Sequence, residues 1–254
     1  MRTLFVLVSS LLITCVEAET FDWSQFINLP VFTDLSIGNQ ILHFYSRNKP
    51  FWEPSRNFVE THLSKAIQFK SDAEVLKFGS DAVTLNGMFL EFGVCSGKTV
   101  NFIAALNPHK KIFGFDSFEG LPEDWTEQCK RGVFSFKQSD FLPPVLHNVE
   151  IVKGWFSEVL PVFLEIHRSP VAFLHIDCDL YSSTSCVFQN LFDCIQPGTI
   201  IVFDELYNYP GFENHELKAL QEFLDTKHFR AEYLAYNVNH EQVAVRILAQ
   251  DQPD

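Results

Sequence analysis

From residue 85 onward, short apolar runs alternate with amphipathic stretches. Residues 88–92 and 111–116 read as strands, and apolar positions at helical spacing fill residues 98–106 between them, the pattern of a βαβ unit. Residues 149–153, 171–177 and 199–204 continue the strands, with helices predicted near 158–167 and 184–195. This alternation predicts an α/β fold, a Rossmann-like doubly wound and mostly parallel sheet. The chain then changes character. Residues 216–226 are helical in pattern, and 229–236 and 242–248 read as two strands around the turn-prone Asn237-Val238-Asn239, which predicts a C-terminal antiparallel hairpin and seven strands in all. Upstream, Phe58, His62, Leu63, Ala66 and Ile67 fall at helical intervals behind Ser55, a residue type that caps helices, so a helix is expected before the sheet. Residues 21–54 are aromatic and turn-rich, with Pro30, Gly38, Pro50 and Pro54, and read as an irregular extension.

Composition narrows the choices. A chain of 254 residues, 46% hydrophobic and 20% charged, has the apolar content for one folded domain, here placed at 55–254, and its 27 Phe point to an aromatic core. A formal net charge of -13 disfavours nucleic acid as a partner and favours a neutral, cationic or metal-bridged small molecule. Met1-Arg2 leads into an apolar run over 3–16 and then Val16-Glu17-Ala18, the pattern of a signal peptide over residues 1–18 cleaved after Ala18. That predicts a secreted or lumenal protein, and the run is too short for a stable membrane span. Beyond Cys15 in the leader, five cysteines remain with no Cys-x-x-Cys spacing, so buried thiols are expected rather than a disulfide framework. The aromatic extension, residues 19–54, suits either a cover for a ligand site or a contact in a homo-oligomer.

The first strand runs into Glu91-Phe92-Gly93-Val94-Cys95-Ser96-Gly97-Lys98-Thr99, where glycines let the backbone approach a ligand at a helix N-terminus. A dinucleotide fingerprint fails because Val94 and Cys95 follow Gly93, and a phosphate-binding loop falls one residue short before Gly97-Lys98-Thr99. S-adenosylmethionine fits better: Glu91 suits its positive charge and would repel a triphosphate, leaving Lys98 as an exposed helix residue. The second strand ends on Asp116, positioned to accept hydrogen bonds from ribose hydroxyls or, alternatively, to cap the next turn.

Acids also end the later strands. Asp177 and Asp179 follow one, and Asp204 and Glu205 the next, at the sheet edge where open α/β folds bind ligands. Carboxylates brought together repel unless a cation joins them, so Asp177, Asp204 and Glu205 form the expected site for Mg²⁺ or a similar divalent ion. Such an ion would acidify a substrate hydroxyl, and Asp177 is the expected catalytic base. Each of these acids also has an alternative as a helix cap. His175 should share the Asp177 side of its strand and is expected to be a satisfied core histidine.

Taken in order, Glu91-Phe92-Gly93-Val94 with Gly97, Phe115-Asp116-Ser117-Phe118-Glu119-Gly120-Leu121-Pro122, Lys153-Gly154-Trp155-Phe156, Leu160-Pro161, His175-Ile176-Asp177-Cys178-Asp179-Leu180-Tyr181-Ser182-Ser183-Thr184, Phe203-Asp204-Glu205 and Pro210-Gly211 resemble the class I S-adenosylmethionine-dependent methyltransferases, specifically the macrocin and mycinamicin sugar O-methyltransferase (TylF/MycF) group. The resemblance covers about residues 85 to 225 and leaves the first 55 outside it. It implies Mg²⁺-dependent O-methylation of a hydroxyl on a sugar or small polyhydroxylated acceptor. By position it places Gly93, Val94, Gly97 and their loop at the methionine end of the donor, Asp116 at the ribose and Trp155 near the adenine. With Glu91, Ser117 and Phe118 these make up the expected cofactor set, and Asp177, Asp204 and Glu205 fall on metal positions. This chain has Glu205 where a second aspartate is commoner, and Cys178 where a small glycine is. Two other functions compete: a non-catalytic secreted binding protein on the same fold, and a nucleotide-binding enzyme using Lys98.

Overall fold

The structure is a computed structural model that describes residues 26, 28–29, 50–136, 140 and 142–250. The predicted leader and nearly all of the extension lie outside these residues. Eight strands form one sheet: β1 (Ile67–Phe69), β2 (Met88–Phe92), β3 (Ile112–Asp116), β4 (Val149–Lys153), β5 (Val171–Ile176), β6 (Ile200–Phe203), β7 (Phe229–Asn237) and β8 (Val243–Ala249). Their order is β4-β3-β2-β5-β6-β8-β7-β1. β2 to β6 run parallel, while β8 pairs antiparallel with both β6 and β7. The expected fold and terminal hairpin are therefore present, with one strand more than the seven read from the sequence.

The extra strand corrects the expected N-terminal helix. Its residues form a 3-10 turn (Glu53–Ser55), an α-helical turn (Arg56–Phe58) and a π-helical turn (Val59–Leu63), after which Ile67–Phe69 pairs parallel with β7. Ser55 makes no capping bond; its buried hydroxyl accepts from the Asn208 N–H at 3.1 Å, tying this segment to the loop after β6. A helix not expected at all, α1 (Asp72–Asp81), follows. Ser71 starts it: its Oγ accepts from the Glu74 N–H and donates to Glu74 Oε2, a reciprocal cap.

The remaining helices are α2 (Lys98–Leu106), α3 (Phe156–Ile166), α4 (Tyr181–Asn190) and α5 (Glu216–Lys227). Helices α1 and α2 pack on one face of the sheet through Val75, Leu76, Val100 and Phe102. The other three cover the opposite face through Leu160, Phe163, Val187, Phe188, Leu220 and Phe223. Every residue of β2, β5 and β6 is buried, as expected for strands covered on both faces. Phenylalanines fill one layer: Phe92 stacks on Phe115 at 4.7 Å, and Phe115 meets Phe163 edge-on at 5.0 Å. No described helix is long and apolar enough to cross a membrane. Among the described residues, Cys95, Cys129, Cys178, Cys186 and Cys194 are free thiols.

The strand order reverses between β2 and β5, so a crevice opens at their carboxyl ends. The hydrogen-bond ladder continues one residue past those ends. Asp177 N–H donates to Phe92 O, Asp204 N–H to Ile176 O and Gly154 N–H to Asp116 O, each at 2.9 Å.

Candidate functional site

A cavity of about 390 Å³ occupies this crevice, a size typical of small-molecule sites. Gly93, Val94, Ser96, Asp116, Ser117, Gly154, Trp155, Asp177, Asp179, Asp204 and Glu205 are among its lining residues.

Gly93 has φ +96°, and a Cβ there would lie 1.7 Å from the Asp177 carbonyl oxygen, so only glycine permits the loop to cross the end of β5 this closely. Gly97, with φ +86°, is the N-cap of α2 and directs the first helical N–H groups towards the loop. Asp116 holds that loop in place. Its Oδ2 accepts from the N–H groups of Val94 (2.9 Å) and Cys95 (2.7 Å), and its Oδ1 accepts from Phe118 N–H at 2.7 Å. The turn-capping alternative for Asp116 is thus present, together with a tie to the glycine loop that the sequence did not announce. Trp155 is the N-cap of α3, behind Gly154, where a Cβ would come within 2.5 Å of the Val159 side chain.

Three members of the expected cofactor set, Glu91, Gly97 and Phe118, do not line the cavity. Glu91 is fully buried, with Oε1 accepting from the Thr99 hydroxyl and Oε2 bonded to His175 Nδ1, both at 3.0 Å. Phe118 is buried and packs against Phe136.

The acids do meet. Burial first, then the Asp204 and Asp179 carboxylates, raise the Asp177 pKa, and burial with Asp204 likewise raises Glu205. Asp179, held at φ +62°, is pushed up to about 7 by burial and then by Asp204 and Asp116. The donor atoms that come within 4.8 Å of one another belong to His175, Asp177 and Asp204. Glu205 stands outside that group, with its Oε2 buried and unpartnered. His175 departs from the satisfied core histidine expected of it: Nδ1 meets Glu91, but Nε2 is buried without a partner.

Lys98 is not the exposed helix residue expected. It forms an ion pair with Asp72 at 3.3 Å. Burial works to lower its pKa, but Asp72, Asp204 and Asp177 outweigh that and raise it. Cys95 faces the cavity as a protonated thiol, its pKa pushed up to about 12 by burial and by Asp116 and Asp177. Sequence reasoning also missed Glu216, the first residue of α5. It is completely buried, and its Oε2 accepts from the Glu205 N–H at 3.2 Å.

Residues 90–206 match the family model of a methyltransferase domain. A curated relative from Streptomyces olivaceus, 8-demethyl-8-(2,3-dimethoxy-alpha-L-rhamnosyl)-tetracenomycin-C 4'-O-methyltransferase, is 26% identical over 140 residues, covering 47% of this chain and 52% of its own. This chain therefore spans about half the length of that relative. The solved structure of the calicheamicin methyltransferase CalS11 superposes with a TM-score of 0.54 at 24% identity, over 78% of this chain and 87% of its own. That of the O-methyltransferase NovP gives 0.52 at 19% identity, over 70% and 79%. These two likenesses establish the fold.

Proposed function

We propose that this protein transfers a methyl group from S-adenosylmethionine to a hydroxyl of a sugar or similar small polyhydroxylated acceptor, in the manner of the macrocin and mycinamicin O-methyltransferases. The observation that carries this reading is the convergence on one cavity of the glycine loop, Asp116 and the group of buried acids at the point where the strand order reverses.

Bound there, S-adenosylmethionine supplies an electrophilic methyl group on a sulfonium. The loop amides fixed by Asp116 suit its carboxylate, and the remaining lone pairs of Asp116 suit two ribose hydroxyls, since each carboxylate oxygen accepts more than one hydrogen bond. Ser117 borders the same pocket, and Trp155 offers an aromatic wall for adenine. Glu91 acts from below the floor, through Thr99 and His175. Asp177, made a stronger base by burial beside other carboxylates, takes the proton from the acceptor hydroxyl. Lys98 borders the same cavity but is paired with Asp72 and faces Asp204 and Asp177, a run of negative charge that disfavours a phosphate there.

The residues fit a divalent cation such as Mg²⁺. Several carboxylates converge with Lys98 as their nearby cation, and His175, whose Nε2 is unpartnered, belongs to a group of close donors with Asp177 and Asp204. A cation there would polarise the acceptor hydroxyl. Asp177 and Asp204 hold it, and the third donor is either Glu205, the choice of the sequence pattern, or His175, the choice of the donor distances. Mn²⁺ distinguishes them: nitrogen hyperfine coupling in its spin-echo spectrum identifies His175, and its absence identifies Glu205.

The test of turnover is methyl transfer from labelled S-adenosylmethionine to a panel of methyl glycosides, rhamnosides included because the curated relative is named for a rhamnosyl acceptor. Asp177→Asn is expected to lower transfer by at least about 100-fold while S-adenosylmethionine still binds, the scale of a lost general base. Full activity in that variant would remove Asp177 from the role. A signal peptide over residues 1–18 belongs to the same reading and places this chemistry in a secreted or lumenal compartment, which then needs a supply of the cytosolic donor.

A further inference from the structure

The C-terminal hairpin reaches the site from behind. The antiparallel ladders pair Val243 with Phe203 on one side and with Tyr236 on the other, so the next residues along, Asp204, Gln242 and Asn237, lie abreast where β6 and β7 end and β8 begins. Asn237 N–H continues the β7–β8 ladder by donating to Gln242 O at 2.9 Å. Gln242 and Asn237 are both buried and neither lines the cavity, whereas Asp204 does. Their side chains form one line of hydrogen bonds whose direction is set at its far end. The Asn239 backbone N–H can only donate, so the Asn237 atom it meets at 3.0 Å is Oδ1. Asn237 Nδ2 is thereby turned towards Gln242 and donates to its Oε1 at 2.8 Å. Gln242 Nε2 is left facing Asp204 and donates to Oδ1 at 3.1 Å. The backbone carbonyl of Asn237 is held as well, by the Tyr207 hydroxyl at 2.6 Å.

We infer that Gln242 is a positioning residue for the cation site, oriented from outside it by Asn237: its amide occupies Oδ1 of Asp204, fixes the rotation of that carboxylate and leaves the other oxygen to the ion. The inference rests on the ion of the function proposed above, but the relay itself is made without one. A carboxylate free to rotate has to be ordered when the ion binds, whereas one already held by a donor presents its second oxygen in place. An amide suits this position better than a charged side chain. It restrains Asp204 without adding to the repulsion among the acids and without neutralising a charge that the ion needs. The turn between β7 and β8 thereby acts on the site although residues 238–241 do not line the cavity.

Three variants of the full chain test this. Gln242→Leu removes the donor. Asn237→Asp keeps an acceptor for the Asn239 N–H but replaces Nδ2 by a second carboxylate oxygen, so the Gln242 amide turns over, gives Nε2 to the new carboxylate and presents Oε1 to Asp204. His240→Ala alters the same turn outside the relay. Two quantities are read: the side-chain amide resonances of Gln242 in the isotope-labelled, ion-free chain, and Mn²⁺ affinity by spin resonance. Gln242→Leu and Asn237→Asp are each expected to weaken Mn²⁺ by about tenfold or more, with backbone resonances of β2 and β5 unchanged, while His240→Ala keeps the affinity within about threefold. Asn237→Asp is also expected to shift the Gln242 resonances, which His240→Ala leaves in place. Wild-type affinity in Asn237→Asp with shifted resonances would overturn the inference, because the amide would have turned without consequence for the ion. So would unmoved resonances, because Asn237 would then not set the amide, and so would equal weakening in His240→Ala, the mark of a general disturbance of the turn. A wild-type chain that binds no Mn²⁺ overturns the ion itself, and the Gln242 resonances then decide alone whether Asp204 is held in this way.

Discussion

A single methyl group at residue 93 should be enough to disturb the site. At φ +96°, with the Asp177 carbonyl oxygen 1.7 Å from any added Cβ, Gly93→Ala combines backbone strain with a clash against main chain that is itself fixed by the Asp177 N–H bond to Phe92 O. A loss of roughly 2–4 kcal/mol in unfolding free energy is expected, measured by urea denaturation, and wild-type stability would show that the loop can move away. Asp116 differs because its carboxylate holds Val94, Cys95 and Phe118 before any ligand arrives. Asp116→Asn should weaken donor binding more than it weakens the fold, since the amide keeps one acceptor oxygen and substitutes a donor for the other. Sequence spacing made Gly93, Asp116 and the strand-end acids legible because each sits where a strand stops and a loop must turn. It could not reveal that His175 Nε2 has no partner, or that Glu216 reaches Glu205 across 11 positions, because neither leaves a local pattern.

Among the elements, the five parallel strands β2 to β6 read most clearly. β2 and β4 occupy the residues expected, and β3, β5 and β6 differ by a residue or so at their ends. Strand β1 was hidden because three residues at a sheet edge carry no period of their own; they become a strand only by pairing with β7. Helix α1 did carry a signal, the Ser71-x-x-Glu74 cap, but its hydrophobic stripe is short and is interrupted by Lys77 and Gly79. Gly79 is there for packing, since a Cβ would meet the Val202 side chain at 2.6 Å. Helix α5 allows a test that separates scaffold from site. Phe223→Ala removes a buried ring stacked on Phe188 and should cost about 3–5 kcal/mol of stability while leaving S-adenosylmethionine affinity within about threefold. A large loss of affinity would mean that the α4–α5 packing controls the donor pocket directly.

The whole molecule concentrates negative charge at one end of its sheet, and this sets its response to pH. Burial and neighbouring carboxylates raise Asp177, Glu205 and Glu216, and they bring Asp179 from 3.8 to about 7. Between those two values the folded chain binds more protons than the unfolded chain, so stability falls as pH rises from about 4 to about 7 and is largest towards the acid side of that window. Ligand-free protein should accordingly melt at a higher temperature near about pH 5.5 than near about pH 7.5, and a saturating divalent cation should remove most of the difference by replacing the protons. A melting temperature that rises with pH across this range would show that the acids are solvated or already paired.

The most direct test of the central claim is calorimetric titration of the full chain with S-adenosylmethionine, with and without Mg²⁺, alongside Asp116→Ala. Micromolar binding to the wild type that disappears in the variant is the predicted result. A folded wild-type protein that releases no heat of binding under either condition would contradict the account, leaving a methyltransferase fold without its donor.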